Sequence, residues 1–168
     1  MTISVEPARL VDLPAIVEIE REVFSDPWSA QSFREALGHP AVYFARACRD
    51  GGDVLGYVVA WFVADEGEIA NLAVARAAWG EGIGRSLLDA ALSEAACRDV
   101  TAVYLEVRES NDRARRLYAS RSFEQVGRRR GYYRRPVEDA IVLRRDLGEA
   151  GIGKREGGRG TAERQGRS

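Results

Sequence analysis

The stretch AVARAAWGEGIGRSLL, residues 73–88, joins an apolar run to an amphipathic helix through a loop that contains three glycines. Because glycine has no Cβ, Gly80, Gly82 and Gly84 leave successive backbone N–H groups unshielded at the positive end of a helix dipole. Arg85 adds a fixed positive charge in the first helical turn. The loop therefore suits a phosphate or pyrophosphate group. A tight turn without a ligand is the alternative interpretation.

Two common nucleotide-binding loops do not fit this stretch. The GxGxxG spacing of a dinucleotide site is absent, and no early parallel strand is predicted before the loop. A Walker loop needs a lysine directly before Ser86, and Arg85 stands there.

On both sides of the loop, helical and extended patterns alternate, with apolar residues at helical or strand spacing. Strands are predicted at residues 3–6, 42–49, 54–64, 68–74, 103–107, 123–128 and 140–144, and helices from Asp12, from Ser29 through Leu37, over 83–96 and over 111–121. Residues 50–53 read Asp-Gly-Gly-Asp and predict a hairpin turn. The interleaving predicts an α/β or α+β sheet protein with one layered core.

The chain has the size of one domain with a substantial core, with 168 residues of which 45% are hydrophobic. We place that domain at residues 2–147. Residues 148–168 hold seven glycines and almost no apolar bulk, so we expect them to form a disordered tail.

Charge is unevenly distributed along a chain whose formal net charge is −1. Residues 1–107 carry a net charge of −9, and residues 108–135 carry +7. The near-neutral total argues against a protein that holds nucleic acid through bulk positive charge.

Cysteine and histidine are scarce, which limits the chemistry that the chain supports. Cys48 and Cys97 are too few for a disulfide framework and are expected to be small buried hydrophobes, and His39 is the only histidine. No Cys/His spacing typical of a metal site occurs, so we expect no metal. Because neither a leader pattern nor an apolar run of membrane-spanning length is found, we expect a cytoplasmic protein without a membrane partner.

Several motifs, in the same order, resemble the GCN5-related N-acetyltransferases (GNAT). They are Asn71-Leu72-Ala73-Val74, Trp79-Gly80-Glu81-Gly82-Ile83-Gly84-Arg85, Leu105-Glu106-Val107-Arg108-Glu109-Ser110-Asn111, Leu117-Tyr118 and Phe123. Within that superfamily, Asp26-Pro27-Trp28-Ser29 and the segment from Tyr132-Tyr133 to Glu138-Asp139-Ala140 resemble the bacterial ribosomal-protein-alanine N-acetyltransferases. The resemblance covers residues 2–147.

The resemblance implies a mostly antiparallel sheet with one splayed pair of strands, flanked by helices, and acetyl-coenzyme A as co-substrate. Backbone groups of Leu72, Ala73 and Val74 would bind the acetyl and pantetheine part. The pyrophosphate would lie on the loop formed by Gly80, Glu81, Gly82, Ile83, Gly84 and Arg85. Asn111, ordinarily a helix cap, would also contact the coenzyme. The family has Gln or Arg where this chain has Trp79, which removes one expected side-chain contact.

Two residues are candidates for proton transfer. Glu106 is the only carboxylate in the apolar run 103–107, and its alternative role is to pair with Arg108 or another arginine. By resemblance Glu106 is the general base. Tyr118 is either a core aromatic or, by resemblance, the acid that protonates the coenzyme sulfur. Ser122 replaces the family's glycine, which predicts a helix end without a relaxed left-handed cap.

The resemblance also implies an acceptor, the N-terminal alanine of a basic small-subunit ribosomal protein, acetylated by direct attack in a ternary complex. The substrate-side candidates are Trp28, Tyr132, Tyr133, Glu138 and Asp139. Acidic residues near the first two helices and the Pro27-Trp28-Ser29 loop would attract such a substrate or simply form a solvated face. They are Glu18, Glu20, Glu22, Asp26 and Glu35.

Three alternatives stay open at this point. The enzyme could acetylate other protein N-termini, lysine side chains or small amines. The arginine-rich stretch could instead form an RNA-contacting module, although interleaved acids such as Glu109 and Asp112 argue against direct nucleic-acid binding. A coenzyme-binding protein without activity is disfavoured by the presence of both Glu106 and Tyr118. The oligomeric state is left open.

Overall fold

Seven strands and four helices alternate along residues 2–50 and 52–148, which are the residues that the computed structural model describes. The elements are β1 (Ile3–Pro7), α1 (Leu13–Val23), α2 (Ala30–Ala36), β2 (Val42–Arg49), β3 (Val54–Val63), β4 (Glu66–Val74), α3 (Ile83–Cys97), β5 (Ala102–Arg108), α4 (Asp112–Ala119), β6 (Glu124–Tyr133) and β7 (Glu138–Asp146). Short 3-10 turns precede α1 and α3.

The strands form one sheet in the order β1-β2-β3-β4-β5-β7-β6. All neighbours are antiparallel except β4 and β5, which are parallel and pair only between residues 66–68 and residues 102–104. Beyond Glu68 and Tyr104 the two strands separate, and a register shift against β3 leaves Ala70 as an extra residue on β4. The predicted sheet, mostly antiparallel with a splayed pair, is confirmed.

Helices cover the sheet unevenly. Alternate residues of β3 are buried on opposite faces, Tyr57 and Val59 against α1 and α2, and Val58 and Ala60 against α3. The core under α1 and α2 is built on β2, β3 and β4, whereas the core on the other face continues through β5 and β7 to α4. The α1 side of β5 and β7 therefore forms an open face.

The hairpin of β6 and β7 is longer than the sequence pattern predicts. β6 continues to Tyr133, whereas its predicted end is at residue 128, because its polar and glycine-rich residues lack the alternating apolar pattern of a half-buried strand. Cys48 is buried as expected, but the same expectation for Cys97 is wrong, because Cys97 is exposed at the end of α3.

Ser122 corrects a second expectation. Its φ is +66°, so the chain keeps the left-handed conformation after α4 and a serine rather than a glycine adopts it. In the predicted turn at residues 50–53, residue 51 lies outside the described residues, as do residues 149–168 of the predicted tail. The domain boundary at residue 147 stays a prediction.

Candidate active site

The glycine loop has the shape that a bound anion needs. Gly80 and Gly82 have φ of +87° and +81°, and a Cβ added at either position would meet nothing within 4 Å, so space above the loop is open. Gly82 is the N-cap of α3, whose first N–H groups have no acceptor within the helix. A Cβ added at Gly84 would lie 3.4 Å from Leu117 Cδ2 and 3.7 Å from Val74 Cγ2, so this end of the loop lies close to both β4 and α4. This cradle fits a diphosphate.

The gap between β4 and β5 begins just before the predicted acetyl-binding segment. Leu72, Ala73 and Val74 pair with β3 on one side, while the ladder to β5 ends at Glu68. A Cβ at Gly56 would lie 2.7 Å from the Ala73 carbonyl oxygen, so this glycine lets β3 approach β4 closely. Because β4 pairs on one edge only here, its other edge presents backbone donors and acceptors to the gap.

The indole N–H of Trp79 forms a hydrogen bond within the chain. Its Nε1 donates to the Val74 carbonyl oxygen at 2.8 Å, and the guanidinium of Arg113 lies 4.1 Å from its ring centroid, with that of Arg76 at 5.4 Å. The indole thus ties the start of the glycine loop to the end of β4. Of the other loop residues, Glu81 pairs with Arg49 at 3.1 Å.

Asn111 confirms its predicted role as a helix cap. Its Oδ1 accepts a hydrogen bond from the Ala114 backbone N–H at 3.1 Å, and α4 begins at the next residue. Its contact with the coenzyme stays a prediction.

Glu106 lies on the open face of the sheet, in the middle of β5. Its neighbours Leu105 and Val107 are buried in the opposite core, so strand alternation directs Glu106 away from it. The carboxylate, 17% exposed, forms an ion pair with Arg129 and not with Arg108. A cleft of about 450 Å³ surrounds it, lined among others by Trp61, Glu68, Tyr104, Arg129 and Val142.

Two further carboxylates line this cleft, Glu66 and Glu68, and the sequence pattern does not predict them. Both lie where β4 pairs with β5, and Glu68 is at the last paired position. Partial burial raises its pKa, and the nearby charge of Glu106 raises it further. The three acids give the cleft a negative charge that Arg129 partly offsets.

Tyr118 lies on the other side of the sheet. Its side chain is buried in the α3 core, and its ring meets that of Phe123 edge-on with 5.6 Å between centroids. Burial raises the pKa of its hydroxyl, so this group stays protonated at neutral pH and can donate a proton or hydrogen bond. Tyr118 is thus a core aromatic with a protonated hydroxyl, and its role as the acid stays a prediction.

Tyr132 and Tyr133 stand beside Glu106 at the end of β6. Their rings meet edge-on at 5.0 Å, and the Tyr132 hydroxyl lies close enough to Glu106 to raise the pKa of Tyr132. Burial, followed by the charge of Glu106, raises the pKa of Tyr133 to about 12. Both tyrosines are therefore neutral groups near Glu106.

Arg108 fixes the loop that follows these tyrosines. Its guanidinium donates to the carbonyl oxygens of Arg134 and Pro136 at 2.8 and 3.0 Å, and to Ser25 Oγ in the α1–α2 loop at 3.2 Å. It also lies 4.5 Å from the centroid of the Tyr133 ring. One side chain thus connects two loops at the edge of the site.

Glu138 and Asp139 are both engaged within the chain. Glu138 accepts from the Ser110 backbone N–H at 2.6 Å and from Arg108 at 3.1 Å, whereas Asp139 accepts from Arg128 and from the Gly131 backbone N–H, each at 2.9 Å. These contacts hold the pKa of each carboxyl below its usual range. A direct role of either residue toward the acceptor stays a prediction.

Trp28 is held in place by Glu20, which is buried although the charge pattern predicts a surface position. Glu20 is 2% exposed and accepts hydrogen bonds from the Trp28 backbone N–H at 2.9 Å, from Asn71 Nδ2 at 2.8 Å and from the Tyr57 hydroxyl. Burial raises the pKa of Glu20. The other four acids of that group are exposed. A possible signal was the position of Glu20 beside Ile16 and Ile19 on the apolar side of α1.

Two further properties concern the described part of the chain as a whole. Among residues 2–50 and 52–148, no group of three or more His, Cys, Asp or Glu side chains is arranged to hold a metal ion. None of the four helices in this part of the chain is long and apolar enough to cross a membrane.

Comparison with known proteins places this geometry in a family. Residues 13–123 match the Acetyltransferase (GNAT) family. The chain is 37% identical over 160 residues to the N-alpha-acetyltransferase RimI of Mycobacterium tuberculosis, covering 89% of this chain and 99% of that protein. It is 33% identical over 144 residues to the [ribosomal protein bS18]-alanine N-acetyltransferase of Escherichia coli, covering 83% and 95%.

Solved structures agree with the sequence comparison. The crystal structure of the E. coli ribosomal-protein-S18-alanine N-acetyltransferase superposes with a TM-score of 0.80 at 30% identity, covering 87% of this chain and 94% of that one. The fold is also shared with Arabidopsis thaliana NAA60 in complex with acetyl-CoA, at a TM-score of 0.78 and 22% identity, covering 87% and 100%. The chain therefore belongs to the GNAT family and is an N-acetyltransferase.

Proposed function

We propose that this enzyme transfers the acetyl group of acetyl-coenzyme A to the α-amino group of an N-terminal alanine on a small-subunit ribosomal protein. The observation that carries the proposal is the placement of Glu106 in an open cleft on one face of the sheet, with the glycine loop beside α3 across the β4–β5 gap. The named activity of the E. coli relative supports the acceptor. Such an acceptor places the reaction in the cytoplasm.

The coenzyme would lie on the α3 side. Backbone groups of Leu72, Ala73 and Val74 hold the acetyl and pantetheine part, and the N–H groups from Gly80 to Arg85 hold the pyrophosphate. Asn111 contributes at the start of α4. When bound, acetyl-coenzyme A supplies an acetyl group activated as a thioester.

The acceptor nitrogen loses two protons in the proposed reaction. Glu106 accepts the first from the ammonium, whose pKa is about 8 for an α-amino group, and the second leaves as the amide forms and restores the Tyr118 hydroxyl. Tyr118 donates its proton to the departing sulfur, which its raised pKa permits because the hydroxyl is protonated at the start. The two residues reach the reacting atoms from opposite faces through the gap between β4 and β5.

Direct attack, without an acetylated enzyme, fits the positions of the two cysteines. Cys48 is buried in β2, and Cys97 is exposed at the C-terminal end of α3, remote from the glycine loop at the start of that helix. Neither thiol lines the cleft around Glu106. The acceptor amine is therefore the nucleophile, and both substrates are bound together.

The acceptor would enter over the open face. We assign Trp28, Tyr132 and Tyr133 to its approach, and the carboxylates of Glu66, Glu68 and Glu106 that line the cleft suit an ammonium group. Lysine side chains, other protein N-termini and small amines share that ammonium, so they are the alternative acceptors.

An RNA-contacting role receives little support from the arginines themselves. Arg128 pairs with Glu109 and Asp139, Arg121 with Asp89, and Arg135 with Asp26. A positive stretch that is paired within the chain offers less charge to a phosphate backbone.

The decisive experiment offers the enzyme and acetyl-coenzyme A four peptides, which begin with Ala, Ser or Met or carry a blocked N-terminus and one Lys. Mass spectrometry then locates each acetyl group. Acetylation at the Ala α-amine supports the proposal. Acetylation of the Lys peptide alone would contradict it and favour a lysine acetyltransferase.

A further inference from the structure

The guanidinium of Arg129 lies where an acceptor's cationic amine is expected. Arg129 pairs with Ala140 of β7, and β7 separates β6 from β5, so its side chain extends across a whole strand to reach Glu106. Adjacent strands are about 4.8 Å apart, so the Arg129 and Glu106 side chains together bridge about 10 Å of sheet. Val142, the β7 residue opposite Glu106, lines the same cleft and leaves room for the crossing.

The surroundings of this guanidinium suit any organic cation. Glu106 supplies the counter-charge, the Tyr132 ring has its centroid 5.6 Å away, and Glu68 stands on the opposite wall. An anion with a flanking aromatic face is a general recognition pattern for ammonium groups. The Arg129 side chain is 59% exposed, so it can return to water at small cost.

We propose that Arg129 is an internal stand-in for the acceptor amine: it occupies the acceptor's cation subsite on Glu106 and Tyr132 and withdraws when the substrate ammonium arrives. This inference rests on the proposed function of Glu106 as the base. It identifies the subsite by residues of this chain and makes Arg129 a determinant of acceptor affinity. Arginine suits the role because its guanidinium stays protonated and is a poor nucleophile beside a base.

A lysine at the same position would present a primary amine to the base, so Arg129→Lys is a direct test. With acetyl-coenzyme A present, the thioester C–S bond breaks and an amide C–N bond forms at the new side chain. The amine's proton passes to Glu106, and the sulfur takes a proton from Tyr118. We expect one acetyl group at position 129 by peptide mapping, which is easy to assign because Lys154 is the only lysine of the chain.

Two controls make the labelling specific. Arg130→Lys places an amine at the next residue, whose charge acts on Asp139, the partner of Arg128, and not on Glu106, and we expect no label there. The double variant Arg129→Lys with Glu106→Gln should lose the label, which excludes spontaneous acetylation. Equal labelling at positions 129 and 130 would overturn the proposal.

Steady-state kinetics test the same inference without a new amine. Arg129→Gln removes the guanidinium that competes with the substrate ammonium. We expect KM for an Ala-terminated peptide to fall about two- to fivefold, which corresponds to the free energy of an exposed ion pair. KM for acetyl-coenzyme A should not change, and Arg130→Gln serves as the matched control. A raised or unchanged peptide KM, or no label at position 129 while the wild type acetylates the peptide, would overturn the stand-in role. A wild type that acetylates no peptide would instead contradict the proposed function, and the inference would fall with it.

Discussion

Glu106 and Tyr118 lie on opposite faces of the sheet at β5. Tyr118 is buried in the same core as Leu105 and Val107, the residues on each side of Glu106, whereas Glu106 points into the open cleft. The sheet therefore separates the candidate base from the candidate acid, and the gap between β4 and β5 is where the two faces meet. Each residue can be tested without disturbing the other.

We expect Tyr118→Phe to lower kcat by about 10²-fold or more, because the departing sulfur loses its proton donor. The ring that packs edge-on against Phe123 is kept, so the fold should be unaffected. KM for acetyl-coenzyme A should stay unchanged. Steady-state kinetics and thermal unfolding measure these quantities.

Tyr43→Phe is the matched control, because Tyr43 is half-buried in β2, away from the cleft. Its kcat should equal that of the wild type. A wild-type kcat in Tyr118→Phe would remove the acid role and leave Tyr118 as a core aromatic alone.

Glu106→Gln should lower kcat by about 10²-fold near pH 7, because an amide cannot accept the ammonium proton. An α-amino group has a pKa of about 8, so the acceptor increasingly loses its proton by itself as the pH rises. The ratio of wild-type to variant kcat should therefore shrink between about pH 7 and pH 9. A pH profile of both proteins gives this ratio.

Glu35→Gln, on the exposed side of α2, should leave the whole profile unchanged. A defect in Glu106→Gln that is equally large at every pH would argue for a positioning role of Glu106 in place of general-base catalysis.

Local patterns made much of this fold predictable. Helical spacing on α3 and strand alternation on β5 are carried by neighbours in sequence, and the glycine loop between β4 and α3 needs a residue type that tolerates positive φ. The β6–β7 hairpin is longer than the sequence pattern predicts. Most β6 residues are exposed and polar, so they show no alternation of apolar and polar residues. Pattern analysis detects elements through the residues that they bury.

Contacts between distant segments could not be predicted in the same way. The pairing of Glu106 with Arg129 depends on β7 entering the sheet between β5 and β6, and an isolated pattern does not specify that order. The burial of Glu20 is not predicted for a related reason. Its hydrogen-bond donors are Trp28, Asn71 and Tyr57, which belong to three other segments. A buried acid becomes plausible only when its donors are known.

Gly82→Ala should weaken coenzyme binding. The φ of +81° at Gly82 costs an L-residue about 1–2 kcal/mol, and the strain would shift the N–H groups at the start of α3 that we assign to the pyrophosphate. We expect KM for acetyl-coenzyme A to rise about five- to tenfold if most of that strain is expressed on binding. The peptide KM should be unaffected.

Gly127→Ala is the control for that variant. Gly127 lies in β6 outside the left-handed region, and its added Cβ would be 3.8 Å from the Val142 Cβ, an ordinary contact. Its acetyl-coenzyme A KM should match the wild type. An unchanged KM in Gly82→Ala would show that the loop does not bind the coenzyme through this backbone conformation.

Ser122→Gly should stabilise the protein by about 1 kcal/mol, because Ser122 has a φ of +66° and glycine adopts the left-handed region at little cost. The nearby Ser120 provides the opposite case: its φ is −68°, and its hydroxyl donates to the Leu117 carbonyl oxygen at 2.6 Å, so Ser120→Gly should destabilise. Chemical denaturation of the two variants measures both free energies of unfolding. If Ser122→Gly unfolded at a lower denaturant concentration than the wild type, the left-handed conformation at Ser122 would not be the source of strain after α4. Unchanged kcat in both variants would confirm that this helix end acts on stability and not on the position of Tyr118.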